Sequence, residues 1–317
     1  MFKVSSGAQV RHWLVQGGAL LALALLVVFN LFFTESFLSL QTLNVNLTQV
    51  TTIVIVGVGM TLVIATGGID LSVGALMAIA GTLAPLIFQA MPGGGGLVAA
   101  IVIPIAVAAA CGCFSGWLVT GFGIQPIVAT LVLFIAGRGV AQVLTNGNLQ
   151  SFDNPGFAVL GKGQFLGVPV QVLLMLVIVV VASWVLRHTV FGRFIVATGG
   201  NERAARLTGI PAVRIKMMVY ALCGALAGLA GLITVSINSS SDANQNGLGM
   251  ELDAIAAVAV GGTLLSGGRA RIFGTLIGAL IIQLMRYTLL AHGVPDAAAM
   301  VAKAAIIVVA VWVQKKR

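Results

Sequence analysis

Long apolar stretches recur along almost the whole chain and constrain its fold more than any other feature. Ten of them can be drawn between short polar interruptions, at residues 13–33, 47–66, 71–90, 97–120, 125–145, 167–187, 215–236, 250–265, 271–291 and 297–313. A helix that crosses a bilayer needs about 20 mostly apolar residues and satisfies its own backbone polar groups. The chain is therefore predicted to be an all-α, polytopic membrane protein with about ten transmembrane helices. The eighth stretch is short and rich in glycine, which favours a half-helix or a broken helix.

The composition argues against a soluble protein of this size. Only 8% of the 317 residues are charged and 59% are hydrophobic, so a soluble fold would have an almost wholly apolar surface. The surroundings expected for such a chain are membrane lipid. No loop is long enough to hold a further domain, and residues 1–317 are predicted to form a single transmembrane domain.

The basic residues predict the orientation in the membrane. With the N-terminus in the cytoplasm, only Lys162 of the 17 Lys and Arg residues falls in an outside loop. Thirteen fall on the inside, namely Lys3, Arg11, Arg187, Arg193, Arg203, Arg206, Arg214, Lys216, Arg269, Arg271, Lys315, Lys316 and Arg317. Lys and Arg are enriched in cytoplasmic loops, so both termini are predicted to be cytoplasmic. This topology also accounts for the net charge of +9 without a nucleic-acid partner.

One inside loop, residues 188–214, contains a compact polar segment that reads GGNERAARLTGI. Gly200 ends the preceding segment, Asn201 is predicted to cap a short helix, and Glu202 suits the positive end of its dipole. Gly209 can end this helix in the left-handed conformation. A single helix of about seven residues is unstable in water, so it needs a surface to lie on.

Two interpretations of this short helix remain open from its residues alone. Ala204, Ala205 and Leu207 offer a shallow apolar contact, and Arg203 and Arg206 offer positive charge to a cytoplasmic partner. The alternative is a solvated basic loop that only fixes the topology.

A second polar turn, TGGIDLSVGA at residues 66–75, separates the second and third apolar stretches. Gly67 and Gly68 are predicted to break the helix, and either Asp70 or Ser72 to satisfy donors at the start of the next one. The turn is interpreted as a cytoplasmic gate or partner contact, or as a tight capped turn alone; the two are compatible. The stretch ATGGIDLSVG, which begins at residue 65, also matches AVGGTLLSGG at an offset of 194, with six identities in ten positions. This echo hints at repeated substructure, as many transporters have.

Candidate residues for a translocation path lie in the outer half of the membrane. Asn46, Gln49 and Thr52 form a polar start to the second stretch, where amides and hydroxyls suit a neutral sugar. Hydrogen bonding between helices would explain them equally well. Asp253 and Arg286 are ionisable residues near the outer ends of later stretches, where charge is costly and often functional. Their alternative role is structural pairing, for example of Glu251 or Asp253 with Arg286 or Lys303.

Motifs for chemistry are missing from the sequence. The segment GFAVLGKG at residues 156–163 approaches a nucleotide-binding loop, but Gly163 replaces the hydroxyl residue that binds magnesium. The three histidines are far apart, and Cys111 and Cys113 have no partner pair nearby. We therefore expect no catalytic site, no metal site and no cofactor.

Three segments carry a resemblance to a known family. TGGIDLSVGA (66–75), GGNERAARLTGI (199–210) and ELDAIAAVAVGGTLLSGGRARIFGTLIGALI (251–281) resemble, in order and spacing, landmarks of the sugar-type permease subunits of bacterial ABC importers. The ribose permease is the best-known member of this family. GRGVAQVLTNG (137–147) and DANQNGLGMELDAI (242–255) look closer to the galactofuranose permease branch.

The resemblance implies the function and the partners. It implies a permease subunit of the bacterial inner membrane that moves a monosaccharide by alternating access, driven by ATP hydrolysis in a separate subunit. The segment around Glu202 would be the coupling helix that docks on a cytoplasmic ABC ATPase. A periplasmic sugar-binding protein and a second permease chain, identical or homologous, would complete the importer. The alternatives are a self-sufficient secondary transporter or channel, and an ABC permease for branched-chain amino acids.

Overall fold

The computed structural model describes residues 6–295, 297–302, 304–305 and 308. Up to residue 295 it contains twelve helices: α1 (Ser6–Phe33), α2 (Leu40–Ala65), α3 (Val73–Ala90), α4 (Gly94–Gly121), α5 (Pro126–Thr145), α6 (Pro155–Lys162), α7 (Val170–His188), α8 (Val190–Gly200), α9 (Glu202–Leu207), α10 (Ala212–Asn238), α11 (Met250–Val260) and α12 (Ile272–Ala291). Its short strands are β1 (Gln150–Ser151), β2 (Gln164–Phe165), β3 (Val168–Pro169) and β4 (Ser240–Ser241), with β1 paired to β4 and β2 to β3, both antiparallel.

Seven of the described helices are long and apolar enough to cross a membrane. They are α2, α3, α4, α5, α7, α10 and α12. The predicted all-α, polytopic architecture is therefore confirmed. Residues 17–33 of α1 and the helix α8 are apolar but shorter. Much of the last predicted segment, 297–313, lies outside the described residues, although residues 297–302 are helical.

The helix α2 forms the centre of the bundle. Every residue from Val50 to Ala65 is buried, so this part of the helix is enclosed on all faces. Its neighbours include α7, α8, α10, α11 and α12. One continuous apolar core joins side chains of these helices, with Met60 of α2 and Ile233 of α10 among those that are fully buried.

Glycines allow the helices to approach one another closely, as in other membrane bundles. A Cβ atom on Gly224 of α10 would lie 2.3 Å from the carbonyl oxygen of Ala108 in α4. A Cβ atom on Gly278 of α12 would lie 2.0 Å from the carbonyl oxygen of Ala257 in α11. The backbones therefore meet directly at both contacts, which only glycine permits.

The eighth apolar stretch does not form a full span. The helix α11 has 11 residues and ends at Val260, which is about half the length that a bilayer requires. Gly262 follows in the left-handed conformation, with φ of 80°. The predicted half-helix is confirmed. The loop that follows, 261–271, brings the chain back to the start of α12.

Candidate functional site

The short helix α9 begins and ends as the sequence predicts. The Asn201 side-chain oxygen accepts a hydrogen bond from the Ala204 backbone N–H at 3.0 Å, so Asn201 is the N-cap. At the other end Gly209 has φ of 84°, and the Ile210 N–H donates to the Ala205 carbonyl at 3.0 Å. Because these bonds satisfy donors and acceptors at both termini, the local sequence defines where this helix begins and ends. The preceding helix α8, inside the predicted loop 188–214, was missed.

Glu202 forms two ion pairs, one within α9 and one that fixes α9 to α10. Its carboxylate accepts from Arg206 at 2.6 Å, one turn along α9, and from Lys216 of α10 at 2.5 Å. Burial alone would raise the pKa of Glu202, but the hydrogen bonds and charges of Lys216 and Arg206 lower it below its ordinary value. The Lys216 side chain is only 13% exposed, against 52% for Arg206. The bond between α9 and α10 is therefore the more shielded of the two.

The exposed face of α9 differs in one residue from the predicted contact surface. Leu207 is 89% exposed, and Arg203, Ala204 and Arg206 are also exposed. Ala205 is only 4% exposed, so its side chain packs within the protein and is not available to a partner. An exposed leucine beside two exposed arginines combines apolar area with positive charge, a composition that suits a protein contact.

In the turn between α2 and α3, Asp70 and not Ser72 satisfies the helix-start donors. One Asp70 carboxylate oxygen accepts from the Ser72 backbone N–H at 2.9 Å and from its hydroxyl at 2.5 Å. Ser72 is the N-cap residue of α3, but its side chain makes no capping bond. Both residues are fully buried, and burial raises the pKa of Asp70 although the bonds from Ser72 oppose this.

Three glycine-containing segments meet at the end of α2, next to this turn. The Gly268 N–H donates to the carbonyl of Ala65, the last residue of α2, at 3.0 Å. A Cβ atom on Gly199, near the end of α8, would lie 1.8 Å from the same carbonyl oxygen. The turn that contains Gly67 and Gly68, the end of α8 and the loop 261–271 therefore touch through their backbones. Since α9 follows α8 directly, the predicted gate lies beside the predicted docking helix.

The two stretches that match in sequence, which begin at residues 65 and 259, also form similar turns in the structure, but the structural alignment is shifted by one residue. Gly67 and Gly262 both have a left-handed backbone, with φ of 83° and 80°. The N–H of the following residue, Gly68 or Thr263, donates to a carbonyl five residues earlier in each case. The two helix ends thus correspond at an offset of 195 residues, whereas the sequence match has an offset of 194. A turn built on the pair Gly-Gly can place its left-handed residue at either glycine.

The path candidates Asn46 and Gln49 lie together with a residue that the sequence did not single out. Gln283 of α12 donates to the Gln49 side-chain oxygen at 2.5 Å and to that of Asn46 at 3.4 Å. Gln283 is 3% exposed. It could have been noticed as an amide inside the apolar stretch 271–291. Thr52 is buried and donates to the Gln49 backbone carbonyl, so its hydroxyl is used within α2.

The ionisable candidates occupy other positions. Asp253 lies in the first turn of α11 and Arg286 lies on α12, one turn beyond Gln283; both are half-buried. Arg138 of α5 is a further ionisable residue of the bundle, and its partners are backbone carbonyls. Its guanidinium donates to the carbonyls of Ala243 and Asn244 at 3.0 and 3.1 Å and to that of Gly74 at 3.2 Å. Arg138 therefore ties the loop before α11 to α3.

The fold, the helix α9 and the amide cluster of Asn46, Gln49 and Gln283 together define a class of protein. It is a multi-pass helical membrane protein with a small polar helix presented at one end. The family described as branched-chain amino acid transport system / permease component matches residues 43–311. The chain belongs to this family of transport permeases.

Three individual relatives show which members of this family the chain resembles. The ribose import permease of Escherichia coli K12 is 42% identical over 311 residues, which cover 97% of this chain and 96% of the relative. The galactofuranose transporter permease of the same organism is 42% identical over 266 residues, which cover 84% of this chain and 77% of the relative. The fructose import permease of Bifidobacterium longum is 36% identical over 311 residues, which cover 94% of this chain and 86% of the relative. No solved structure matches the chain.

These relatives confirm the resemblance to the sugar-type permeases and the assignment to the inner membrane as a multi-pass protein. They do not favour the galactofuranose branch, because the identity to its permease equals that to the ribose permease.

Proposed function

We propose that this chain is the permease subunit of an ATP-driven ABC importer that moves a monosaccharide, ribose-like or galactofuranose, across the inner membrane by alternating access. The observation that carries the proposal is the similarity to the ribose import permease at 42% identity over 97% of the chain. The neutral amides of Asn46, Gln49 and Gln283, which meet between α2 and α12, suit a substrate without charge.

The importer would contain three further kinds of subunit. A separate cytoplasmic ABC ATPase hydrolyses ATP, a periplasmic sugar-binding protein delivers the substrate, and a second permease chain completes the pathway. The exposed face of α9, with Arg203, Arg206 and Leu207, is the proposed docking surface for the ATPase. In this arrangement the chain crosses the membrane ten times, with α11 and the loop 261–271 together as the eighth crossing, and both termini lie in the cytoplasm with α9.

Coupling would travel through the anchored helix α9. The bond between Glu202 and Lys216 joins α9 to the start of α10, a helix of 27 residues. At 1.5 Å per residue α10 is about 40 Å long, enough to reach from one membrane surface to the other. A displacement of α9 by the ATPase would therefore move α10 as a rigid rod, because packed helices shift as units.

The buried turn at Asp70 would act as part of the inner gate. It touches the end of α8 and the loop 261–271 through backbone contacts at Gly199 and Gly268, so it must move when α8 and α9 move. Asn46, Gln49 and Thr52, with Asp253 and Arg286, are the proposed residues near the outer part of the path.

Branched-chain amino acids are the second candidate substrates, because the description of the family names them. An amino acid is a zwitterion, so its path would need groups for a carboxylate and an ammonium. The amide cluster of α2 and α12 offers neither charge, and the three relatives named above are permeases for sugars; together these favour a sugar, although Asp253 and Arg286 are ionisable.

Purification of the tagged chain from native membranes tests the proposal directly. In a mild detergent, an ABC ATPase should accompany the chain in stoichiometric yield, and mass spectrometry would also show whether the second permease is identical or homologous. A chain that is repeatedly recovered folded and alone would contradict the importer assignment and favour a self-sufficient transporter or channel.

A further inference from the structure

A polar cleft opens at the end of the bundle that is remote from α9. It has a volume of about 300 Å³ and lies between the first turns of α2, the segment from Gly161 to Pro169, and the start of α7. Ile237, near the end of α10, also lines it. Since Lys216 near the beginning of α10 binds Glu202 of α9, the cleft and the proposed docking helix lie at opposite ends of the same helix.

The lining of this cleft is polar and almost neutral. Its hydrogen-bonding side chains are those of Asn44, Thr48, Gln49, Lys162, Gln164 and Gln171. Lys162 carries the single charge among the lining residues, and its ammonium donates to the Ser239 hydroxyl at 2.6 Å. Amides offer both donors and acceptors, as the hydroxyl groups of a sugar require. No carboxylate belongs to the lining, so the ammonium group of an amino acid would have no counter-charge.

Gln171 supplies an independent sign of a missing ligand group. Its side chain is 1% exposed and lines the cleft. Its amide nitrogen donates to the Thr48 hydroxyl at 3.1 Å and to the Gly161 carbonyl at 2.9 Å. Its amide oxygen has no hydrogen-bond partner within the described structure. A buried acceptor that lacks a donor is costly, and a hydroxyl group of a bound ligand would satisfy it.

Gln49 connects the cleft with the interior of the bundle. It lines the cleft, and its side-chain oxygen accepts from Gln283, which is buried on α12. Asn46 also accepts from Gln283. The polar groups therefore continue from the cleft to the contact between α2 and α12, and a ligand could exchange its hydrogen bonds from one amide to the next.

We propose that this cleft is a binding subsite for a neutral monosaccharide, at which the substrate first contacts the permease on the outer side. The volume lies at the lower end of the range of small-molecule pockets, about 300–1,000 Å³, which suits a single sugar ring and not a disaccharide. This inference rests on the proposed function for the direction of transport. It adds the location and the chemistry of the entry site.

The test is sugar uptake by the complete importer, reconstituted in proteoliposomes with its ATPase and binding protein. The probes are radiolabelled D-ribose, D-galactose and D-fructose, with L-leucine as the charged comparison. The double variant Asn44→Ala, Gln49→Ala removes two amides that line the cleft. The matched control is Asn148→Ala, which removes an exposed amide from another loop at the same end of the bundle.

The expected result is an increase of about tenfold in KM for the imported sugar in the double variant, because two hydrogen bonds to the substrate are lost. Maximal velocity should change less, and the control should keep both values within about twofold. Equal KM values for the double variant and the control, in an importer that takes up a sugar, would overturn the cleft proposal alone. Uptake of L-leucine without any of the sugars would overturn the proposed function as well.

Discussion

Gly199 and Gly200 are adjacent residues, but only Gly199 has no space for a side chain. A Cβ atom on Gly199 would lie 1.8 Å from the Ala65 carbonyl oxygen, whereas one on Gly200 would meet nothing within 4 Å. Gly199→Ala is therefore expected to lower the free energy of unfolding by about 3 kcal/mol or more, since only backbone movement could relieve the overlap. Gly200→Ala should leave it unchanged within about 1 kcal/mol.

Thermal unfolding of the two purified variants in detergent measures this difference. Both substitutions add the same methyl group at the end of α8, so the pair controls for composition and helix propensity. Equal midpoints for Gly199→Ala and Gly200→Ala would mean that α2 and α8 do not meet at this point.

Two substitutions of Asp70 can separate a structural role of this residue from a role in gating. Asp70→Asn keeps a side-chain oxygen that can accept from the Ser72 N–H, and it removes a buried charge, so the protein should remain as stable as the wild type. Asp70→Ala leaves the Ser72 N–H without its acceptor and should lower the free energy of unfolding by about 1–3 kcal/mol. Thermal unfolding measures both effects.

Uptake assays then complete the comparison at Asp70. If Asp70→Asn is stable but transports poorly, the charge itself serves the gate. If Asp70→Asn is destabilised as much as Asp70→Ala, the bond to Ser72 is not the main contribution of this side chain.

Local interactions explain which residues could be predicted from the sequence. Asn201, Glu202 and Gly209 act within one short helix, and their roles follow from their order in the chain. Gln283 was missed because its partners in α2 are more than 230 residues away. The burial of Ala205 was missed for a similar reason, since it depends on how α9 packs and not on the composition of α9.

At the scale of elements, Glu202 of α9 forms two ion pairs of unequal shielding, and only the pair with Lys216 reaches another helix. Lys216 is 13% exposed and Arg206 is 52% exposed, and exposed pairs contribute little because solvent screens them. Lys216→Met should therefore increase hydrogen exchange of the α9 amides several-fold, whereas Arg206→Met should change it little. Similar exchange in the two variants would show that the bond to α10 does not hold α9 in place.

The same anchor has a defined pH dependence. The pKa of Glu202 is lowered in the folded protein, so its contribution is complete above the ordinary carboxyl value near 4.5 and is lost as the pH falls below it. After correction for intrinsic exchange rates, protection of the α9 amides should be constant from pH 7 to about pH 5 and should decrease below pH 4.5. A loss of protection already near pH 6 would assign the anchor to another group.

The exposed face of α9 should determine binding of the ATPase. Leu207→Asp places a charge at the most exposed apolar position of the helix, where it would be desolvated on docking, so recovery of the ATPase should fall at least tenfold. Arg214→Ala removes an exposed positive charge from the same region outside α9 and serves as the control. Co-purification measures both; equal recovery of the ATPase with the two variants would exclude α9 as the docking helix.

At the scale of the whole molecule, the helical spans were predictable and their contacts were not. Apolar length identifies α2, α3 and α10, because a bilayer sets the required number of residues. It does not reveal that α2 is central, since every span is apolar whether it faces lipid or protein. The close approach of α4 and α10 depends on Gly112 and Gly224 being opposite each other, which no local pattern specifies.

The orientation of the molecule can be tested by labelling its two ends. The loop before α11 and the helix α9 lie at opposite ends of α10, and the positive-inside rule places α9 in the cytoplasm. Gln245→Cys and Arg203→Cys each place a thiol at an exposed position. In intact cells a membrane-impermeant maleimide should label position 245 and not position 203.

Background labelling is removed by replacing the native Cys111, Cys113 and Cys223 with alanine and checking that the protein still inserts. Opening the cells supplies the control, because position 203 should then react as well as position 245. Labelling of position 203 in intact cells, with protection of position 245, would reverse the orientation. It would also place α9 where no cytoplasmic ATPase could reach it, so this one measurement tests the topology together with the proposed coupling.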